Sequence, residues 1–299
     1  GVFELGISTP GEMAKLAVIL GPQLVLITNV GPSHLEFLGS VEQVAKEKLS
    51  LLEGSPDARL IVNADNAILM AEAAKTGREI VTFGIDNEAD WRPDSIESDR
   101  EGNTRVVIEG NPFRVPLFGR HQVSNLLAAY AITRELGYSF KDVNTGSITL
   151  STAPLRGERL ELHGVTIIAD CYNANPDSVT AGLRSLTRLQ RSGRLFVVLG
   201  DMLELGEHSR DYHRQVGTLL ATLDYDRVLL VGPLSTAILD GALEGGASPS
   251  RLTHYETADA CADILTDELG AGDLLYVKGS RGIGLEKLID HWRKYGGEG

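Results

Sequence analysis

The chain has 299 residues, enough for one large domain or two ordinary ones, each with its own hydrophobic core. Hydrophobic residues make up 42% and charged residues 23%, a balance typical of a folded globular protein rather than a disordered one. A formal net charge of -13 argues against a broad nucleic-acid-binding surface, although local basic groups can still hold small anionic substrates.

Cysteine usage and hydropathy indicate the cellular compartment. Cys171 and Cys261 are far apart and in no metal-binding spacing, which favours buried thiols in a reducing environment. No apolar run approaches the roughly 18 residues that span a bilayer, and no signal-type segment opens the chain. We therefore expect a cytoplasmic protein that is not inserted in a membrane.

The first half alternates strand-like runs with helical patterns, which predicts a parallel sheet. GVFELG at the start is typical of the end of a buried strand, so we expect the chain to begin inside a domain. The later strand-like runs cover residues 23–30, 58–65 and 79–84, and the helical patterns cover 11–20, 40–52 and 66–76.

The sequence pattern changes at the end of this half. Short polar strands from Trp91 to Leu117 predict an antiparallel meander at one edge of the sheet. A helix over 121–137 follows, with Gly137 as its C-terminal cap. Residues 145–158 have few large apolar side chains and indicate a linker, so we place the domain boundary at residue 150.

The second half predicts a doubly wound, Rossmann-like domain over residues 151–299. Its strand-like runs cover 165–171, 194–200, 226–232 and 273–279, with helical patterns at 178–189 and 208–223. Ligands of such α/β sheets gather at the carboxyl ends of strands. Those ends carry three polar clusters, 170–173, 201–204 and 278–281.

The glycine-rich stretch after the last strand resembles a dinucleotide-binding turn. In a nicotinamide-dependent reductase that turn follows the first strand, whereas LLYVKGSRGIG over 274–284 leaves about one helix before the chain ends. Its position argues against an oxidoreductase.

Lys48 is a cation on an apolar helix face. On the predicted helix Ser40 and Gln43 are spaced as a capping box, and Lys48 falls on the same side as Val41, while Glu47 points away. The side chain could snorkel or form a structural ion pair. Alternatively, its amine could react with carbon dioxide to give a carbamate that binds a hard cation such as Mg²⁺.

Glu4 and His34 follow two strand-like runs of the first half. Because parallel strands end at one sheet edge, this carboxylate and imidazole could bind a metal ion between phosphate and substrate. A single loop histidine is, however, more often solvated or structural.

Six collinear motifs resemble the Mur ligase family across nearly all of the chain. They are GVFELGISTPGEMAKL, TNVGPSHLEFLGS with AKEK, GRHQVSNLLAAYA, DCYNANPDSVTAGL, VVLGDMLELGEHS and VKGSR. The resemblance implies a truncated central ATP-binding domain (1–150) and a C-terminal ligase domain (151–299). It also implies an ATP- and Mg²⁺-dependent ligase of peptidoglycan precursor synthesis that joins D-alanyl-D-alanine to UDP-N-acetylmuramoyl-tripeptide through an acyl phosphate.

The resemblance assigns roles to residues at matching motif positions. It implies Glu4, His34 and a carbamylated Lys48 at the metal, with His34 and Lys48 also acting in catalysis. The implied nucleotide-binding residues are Asn125, His121, Arg159, Asp170, Tyr172 and Asn173, and the implied substrate-binding residues are Lys278, Ser280 and Arg281. It also implies small-molecule substrates, and we expect a monomer.

The sequence departs from the family pattern in three places. Arg156 and Arg159 are rivals for one nucleotide contact, and Gln122 stands where many relatives have Asn. No G-x-x-x-x-G-K-[ST] phosphate loop occurs; in the family it lies upstream of the segment around Val2 to Leu5. We therefore expect little activity from these 299 residues alone.

Two alternatives remain open beside the dipeptide ligase. One is a sister Mur ligase that adds a different amino acid, and its distinguishing feature would be a different loop in place of YNANP. The other is a noncatalytic module that binds nucleotide or precursor. The joint presence of Glu4, His34 and Lys48 argues against it, because such a module needs no metal cluster.

Overall fold

A computed structural model describes residues 1–98, 104–115, 119–147, 153–186, 189 and 191–295. In the first half the helices are α1 Glu12–Leu20, α2 Leu35–Leu38, α3 Val41–Leu49, α4 Ala67–Ala74, α5 Arg120–Glu135 and α6 Phe140–Ser147. The strands are β1 Leu24–Ile27, β2 Arg59–Asn63, β3 Ile80–Phe83, β4 Ser95–Ser98, β5 Thr104–Ile108 and β6 Asn111–Val115.

Three parallel strands in the order β1-β2-β3 form the predicted sheet of this half. One core joins the sheet to α1, α3 and α4 through residues such as Met13, Val44 and Leu69. A second core, which includes Ile61 and Phe83, joins it to α5 and to β4, β5 and β6. The two cores bury both faces of the sheet.

Two expectations for this half need correction. The antiparallel meander is confirmed, but β4, β5 and β6 form a separate sheet, and an isolated bridge joins Phe83 of β3 to Trp91, which precedes β4. Residues 1–8 form no strand, and Val2 and Phe3 are 90% and 67% exposed. An extended segment needs a hydrogen-bonded neighbour, and among the described residues none of β1, β2 and β3 pairs with residues 1–8.

The second half contains one six-stranded sheet. Its strands are β7 Glu158–Leu162, β8 Val165–Asp170, β9 Leu195–Gly200, β10 Arg227–Val231, β11 Leu252–Tyr255 and β12 Leu274–Lys278. Its helices are α7 Pro176–Leu186, α8 Ser209–Leu220, α9 Thr236–Glu244, α10 Ala258–Glu268 and α11 Glu286–Tyr295.

The strand order β11-β10-β9-β12-β8-β7 is parallel apart from β7, which pairs antiparallel to β8. Helices α7, α8 and α9 pack on one face through residues such as Leu183 and Val216. Helices α10 and α11 cover the other through Leu265 and Trp292. The doubly wound α/β class is therefore confirmed, and the carboxyl ends of β8, β9 and β12 meet at one edge.

The predicted linker is only partly described. Helix α6 covers its first residues up to Ser147, while residues 148–152 lie outside the described part, so the boundary at residue 150 stays a prediction. Cys171 and Cys261 are buried free thiols. Within the described residues, no helix has both the length and the apolar character required to cross a bilayer.

Candidate active site

Lys278 and Asp170 meet at the carboxyl ends of β12 and β8, where the strand register places them side by side. Lys278 Nζ donates to Asp170 Oδ2 at 2.8 Å and to the carbonyl oxygen of Asn173 at 3.3 Å. The Lys278 side chain is only 3% exposed. The predicted substrate-binding cation is therefore committed to an internal ion pair that ties the loop after β8 to the end of β12.

His121 comes from α5 in the first half and lies beside this ion pair. Burial lowers the pKa of His121, an effect that the Asp170 carboxylate opposes and the Lys278 ammonium reinforces. The hydroxyl of Tyr276 also donates to Asp170, at 3.2 Å. The structure thus brings three sequence-predicted residues, His121, Asp170 and Lys278, into one polar cluster between the two halves.

Ser280 and Arg281 have different surroundings although they are neighbours in sequence. Ser280 is buried; its Oγ accepts from the N–H of Leu203 at 2.9 Å and donates to the carbonyl oxygen of Ala174 at 3.4 Å. Arg281 is exposed, and its Nη2 lies 3.7 Å from Glu286 Oε1. Ser280 therefore bridges two loops, while Arg281 keeps a guanidinium at the surface.

The rivals Arg156 and Arg159 occupy different places. The guanidinium carbon of Arg156 lies 4.0 Å from the centre of the Tyr172 ring, a cation–π arrangement on the loop that follows β8. Arg159 Nε donates to Glu161 Oε1 at 3.2 Å on strand β7. Tyr172 and Asn173 are both exposed. Arg156 therefore stands at the loop after β8 and Arg159 along β7, and which of them contacts a nucleotide stays a prediction.

Asn175 caps the start of helix α7. Its Oδ1 accepts from the N–H of Ser178 at 2.8 Å. Ser178 Oγ in turn accepts from the N–H of Asn175 at 3.0 Å. Pro176 occupies the first helical position, where a missing N–H costs nothing. This reciprocal cap holds the end of the YNANP loop.

His34 contacts the second half directly. Its Nδ1 lies 2.6 Å from Glu204 Oε2 in the loop after β9. His34 precedes α2 with a left-handed backbone, φ 55°. A partner 170 residues away could not be predicted from local spacing, although Glu204 belonged to a polar cluster recognised at a strand end.

Lys48 faces the interior, as its position on α3 predicts. The predicted cap of α3 is also confirmed, because Ser40 Oγ accepts a hydrogen bond from the N–H of Gln43 at 3.3 Å. Lys48 is half-buried and donates to the carbonyl oxygen of Asn29 at 3.3 Å. Burial lowers the pKa of its amine.

The expectation that Glu47 points away is wrong: its carboxylate accepts from the N–H of Met13 at 3.0 Å and so caps the start of α1.

The remaining predicted positions lie near the surface. Glu4 is exposed in the segment before α1, and Asn125 is exposed on α5, where its Nδ2 donates to Gln122 Oε1 at 3.2 Å. Throughout the described ranges, no three or more His, Cys, Asp or Glu side chains are grouped as a metal site requires. The metal site at Glu4, His34 and Lys48 therefore stays a prediction.

Buried side chains hold the loop after β9, and His213 of α8 is one of them. It is fully buried; its Nε2 accepts from the N–H of Met202 at 2.9 Å, and its Nδ1 donates to the carbonyl oxygen of Ser209 at 2.7 Å. Asp201 is buried too, and its carboxylate accepts from the N–H of Ser235 at 2.7 Å. Both residues fix the loop that carries Glu204.

Two family profiles cover most of the chain. Residues 1–133 match the Mur ligase middle domain, and residues 155–281 match the Mur ligase, glutamate ligase domain. Together with the fold and the polar strand ends, these matches show that the chain belongs to the Mur ligase family.

Individual relatives show which members of the family this chain is similar to. UDP-N-acetylmuramoyl-tripeptide--D-alanyl-D-alanine ligase of Bacillus subtilis is 33% identical over 96% of this chain and 63% of its own length. The structure of MurF from Acinetobacter baumannii has a TM-score of 0.84 at 26% identity, over 97% of this chain and 64% of that one. MurF of Thermotoga maritima in complex with ADP has a TM-score of 0.82 at 27% identity, over 96% and 65%. The chain thus spans less than two thirds of the length of these relatives.

Proposed function

We propose that this chain forms the central and C-terminal parts of an ATP-dependent ligase that joins D-alanyl-D-alanine to UDP-N-acetylmuramoyl-tripeptide. The observation that carries the proposal is the alignment with the Bacillus subtilis ligase of that name over 96% of this chain. The solved MurF structures of similar fold support it. Because the alignment covers 63% of the Bacillus protein, the activity is proposed for the product of the complete reading frame.

The reaction has two steps. A carboxylate oxygen of the tripeptide attacks the γ-phosphorus of ATP, which forms an acyl phosphate and releases ADP. The amine of D-alanyl-D-alanine then attacks the acyl carbon, phosphate leaves, and the amine loses a proton as the amide forms. Negative charge gathers in both steps, so the site needs fixed cations and hydrogen-bond donors.

Lys48 and His34 are the proposed catalytic residues of the first half. The lowered pKa of the Lys48 amine raises the fraction of its neutral form, which is the form that reacts with carbon dioxide to give a carbamate. With Nδ1 of His34 held by Glu204, its Nε2 is the nitrogen left to face the site. These features support a role for both residues next to the phosphates.

Mg²⁺ is the proposed metal cofactor, held by Glu4, His34 and a carbamylated Lys48. Mg²⁺ prefers oxygen ligands, so a carbamate on Lys48 fits, and His34 would supply a less usual nitrogen ligand. Exposed Glu4 has an oxygen ligand to offer but belongs to no metal-binding group within the described part of the chain. When bound, Mg²⁺ would neutralise phosphate charge.

The nucleotide is proposed to bind between α5 and the loop after β8. Asn125 is exposed on α5, where its amide can accept and donate a hydrogen bond on adenine. Tyr172 and Asn173 are exposed on the loop, and Arg156 stacks on Tyr172. Asp170, which interacts electrostatically with His121, is the residue from which this loop starts, and Arg159 is the less favoured rival of Arg156.

The substrate carboxylates are proposed to meet the loop after β12. Arg281 is the exposed cation of this loop, and its planar guanidinium suits a carboxylate. Lys278 and Ser280 are buried and hydrogen-bonded to neighbouring loops. We therefore propose that Lys278 and Ser280 are positioning residues that hold the backbone carrying Arg281.

Acceptor selectivity tests the proposed function. The protein is expressed from its complete reading frame and given ATP, Mg²⁺ and UDP-N-acetylmuramoyl-tripeptide, with D-alanyl-D-alanine or single amino acids as acceptor. We expect phosphate release with the dipeptide and at least tenfold less with single amino acids. Equal or preferred use of an amino acid would instead indicate a sister ligase.

Lys48→Ala separates catalysis from simple binding, and Lys46→Ala is its control, because Lys46 is an exposed lysine on the same helix. We expect Lys48→Ala to remove ligation while ADP binding persists, and Lys46→Ala to leave both nearly unchanged. If Lys48→Ala ligates as fast as the wild type, the carbamate role is wrong.

A further inference from the structure

The contact between His34 and Glu204 joins the two halves of the molecule through side chains. The 2.6 Å separation of Nδ1 and Oε2 is typical of a short, charge-assisted hydrogen bond. The side chains of His34 and Glu204 are 27% and 49% exposed. A contact between side chains this exposed adds little to stability, so its main consequence is to fix the orientation of the two groups.

Both residues have an unusual backbone. Among the described residues, five other than glycine have positive φ, and His34 and Glu204, at 55° and 62°, are two of them. The left-handed conformation is sterically unfavourable for an L-residue. Strain of this kind persists where surrounding contacts impose it, and it often marks a functional position. Here two strained residues contact each other.

Hydrogen bonds hold the loop that carries Glu204. Each of the three residues before Glu204 is bonded to a different part of the second half. The Asp201 carboxylate accepts from the N–H of Ser235, the N–H of Met202 donates to His213, and the N–H of Leu203 donates to Ser280. These bonds set the loop independently of His34.

The same loop also docks by its backbone on the first half. The carbonyl oxygen of Glu204 accepts from the N–H of Glu36 at 3.3 Å. A Cβ atom at Gly206 would lie 3.3 Å from that nitrogen, so glycine permits the close approach. Glu204 therefore reaches His34 from a fixed position.

We propose that Glu204 is a positioning residue that orients the His34 imidazole from the opposite half of the molecule. As hydrogen-bond acceptor it holds the tautomer in which Nδ1 carries the proton, which leaves the lone pair of Nε2 directed at the site. Carboxylates commonly fix the orientation of functional imidazoles in this way. The kinetic consequence rests on the proposed ligase function, whereas the tautomer assignment does not.

The test compares Glu204→Ala and Glu204→Gln with Glu207→Gln, which removes a negative charge from an exposed position three residues further along. All are made in the complete reading frame and labelled with ¹⁵N-histidine, and His34 is assigned from its missing signals in His34→Asn. We expect wild type and Glu207→Gln to show the Nδ1–H form of His34. Glu204→Ala should shift toward Nε2–H, and Glu204→Gln, whose amide oxygen still accepts, should retain much of the Nδ1–H form.

Kinetics supply the second measurement. We expect Glu204→Ala to lower kcat at least tenfold with less than a threefold change in the KM for ATP, Glu204→Gln to recover part of the loss, and Glu207→Gln to match the wild type. An unchanged His34 tautomer in Glu204→Ala would overturn the proposal, as would an unchanged kcat in an active enzyme. If the wild type shows no ligation, the proposed function fails while the tautomer measurement still decides the role of Glu204.

Discussion

Lys278 and Asp170 form an ion pair whose lysine is almost completely enclosed. Removing one member of a buried pair leaves the other charge uncompensated and typically costs about 3–5 kcal/mol. We expect Lys278→Met to lower the free energy of unfolding by about 3 kcal/mol, measured by urea denaturation. Asp170 keeps partial exposure, which places the loss at the lower end of the range.

Lys287→Met is the matched control for that variant. Lys287 also faces a carboxylate, 3.4 Å from Asp259 Oδ2, but its side chain is 62% exposed. A change of about 0.5 kcal/mol or less is expected there. Comparable losses in Lys278→Met and Lys287→Met would contradict the view that Lys278 is a structural cation.

The chemistry of single residues was easier to predict than their surroundings. The side of α3 on which Lys48 lies follows from helical periodicity, because its neighbours in space are close in sequence. Lys278 was recognised as a cation at a strand end, yet its pairing with Asp170 depends on β12 inserting between β8 and β9. That insertion is a property of strand order, which residue spacing does not specify.

At the scale of elements, the loop between β9 and α8 depends on a neutral histidine. Burial lowers the pKa of His213, and only the unprotonated Nε2 can accept from the N–H of Met202. Because the folded-state pKa lies below the unfolded value of about 6.5, the unfolded chain binds this proton more tightly. Stability from His213 is therefore present above about pH 6.5 and is lost as the pH falls toward the folded-state pKa.

This predicts a difference between the wild type and His213→Gln, whose side chain does not titrate. Asp201, the charged neighbour, favours the protonated form but is outweighed by burial. We expect the wild type to lose more stability than His213→Gln between pH 7.5 and pH 5.5 in urea denaturation. At pH 7.5, His213→Ala should cost about 1–3 kcal/mol, because the buried N–H of Met202 loses its acceptor. Parallel pH profiles for wild type and His213→Gln would contradict this role.

The central strands of both sheets could be predicted from the hydrophobic pattern of the sequence. The buried strands β2, β9, β10 and β12 are continuous apolar runs, as expected for strands covered on both faces. Strand β7 alternates between polar and apolar residues at a sheet edge, and most of it lies between the predicted linker, which ends at residue 158, and the predicted strand that begins at residue 165. The strand expected at residues 1–6 is absent for the opposite reason: the segment is largely apolar, but no described strand pairs with it.

At the scale of the whole molecule, the candidate site lies where the two halves meet. His121 approaches the Asp170–Lys278 pair from α5, and His34 contacts Glu204 across the same boundary. Motif resemblance could place His34, His121 and Asp170 at a site without showing which residues are in contact. Contacts between residues more than a hundred positions apart follow from the packing of the halves, which local patterns do not encode.

The acyl phosphate route is tested most directly by following one oxygen atom. The protein from its complete reading frame is incubated with ATP, Mg²⁺, D-alanyl-D-alanine and UDP-N-acetylmuramoyl-tripeptide whose terminal carboxylate carries ¹⁸O, and products are analysed by mass spectrometry. We predict a precursor longer by one dipeptide, together with inorganic phosphate that has gained one ¹⁸O from that carboxylate. Product formed without ¹⁸O in the phosphate, or ¹⁸O appearing in AMP, would contradict the account.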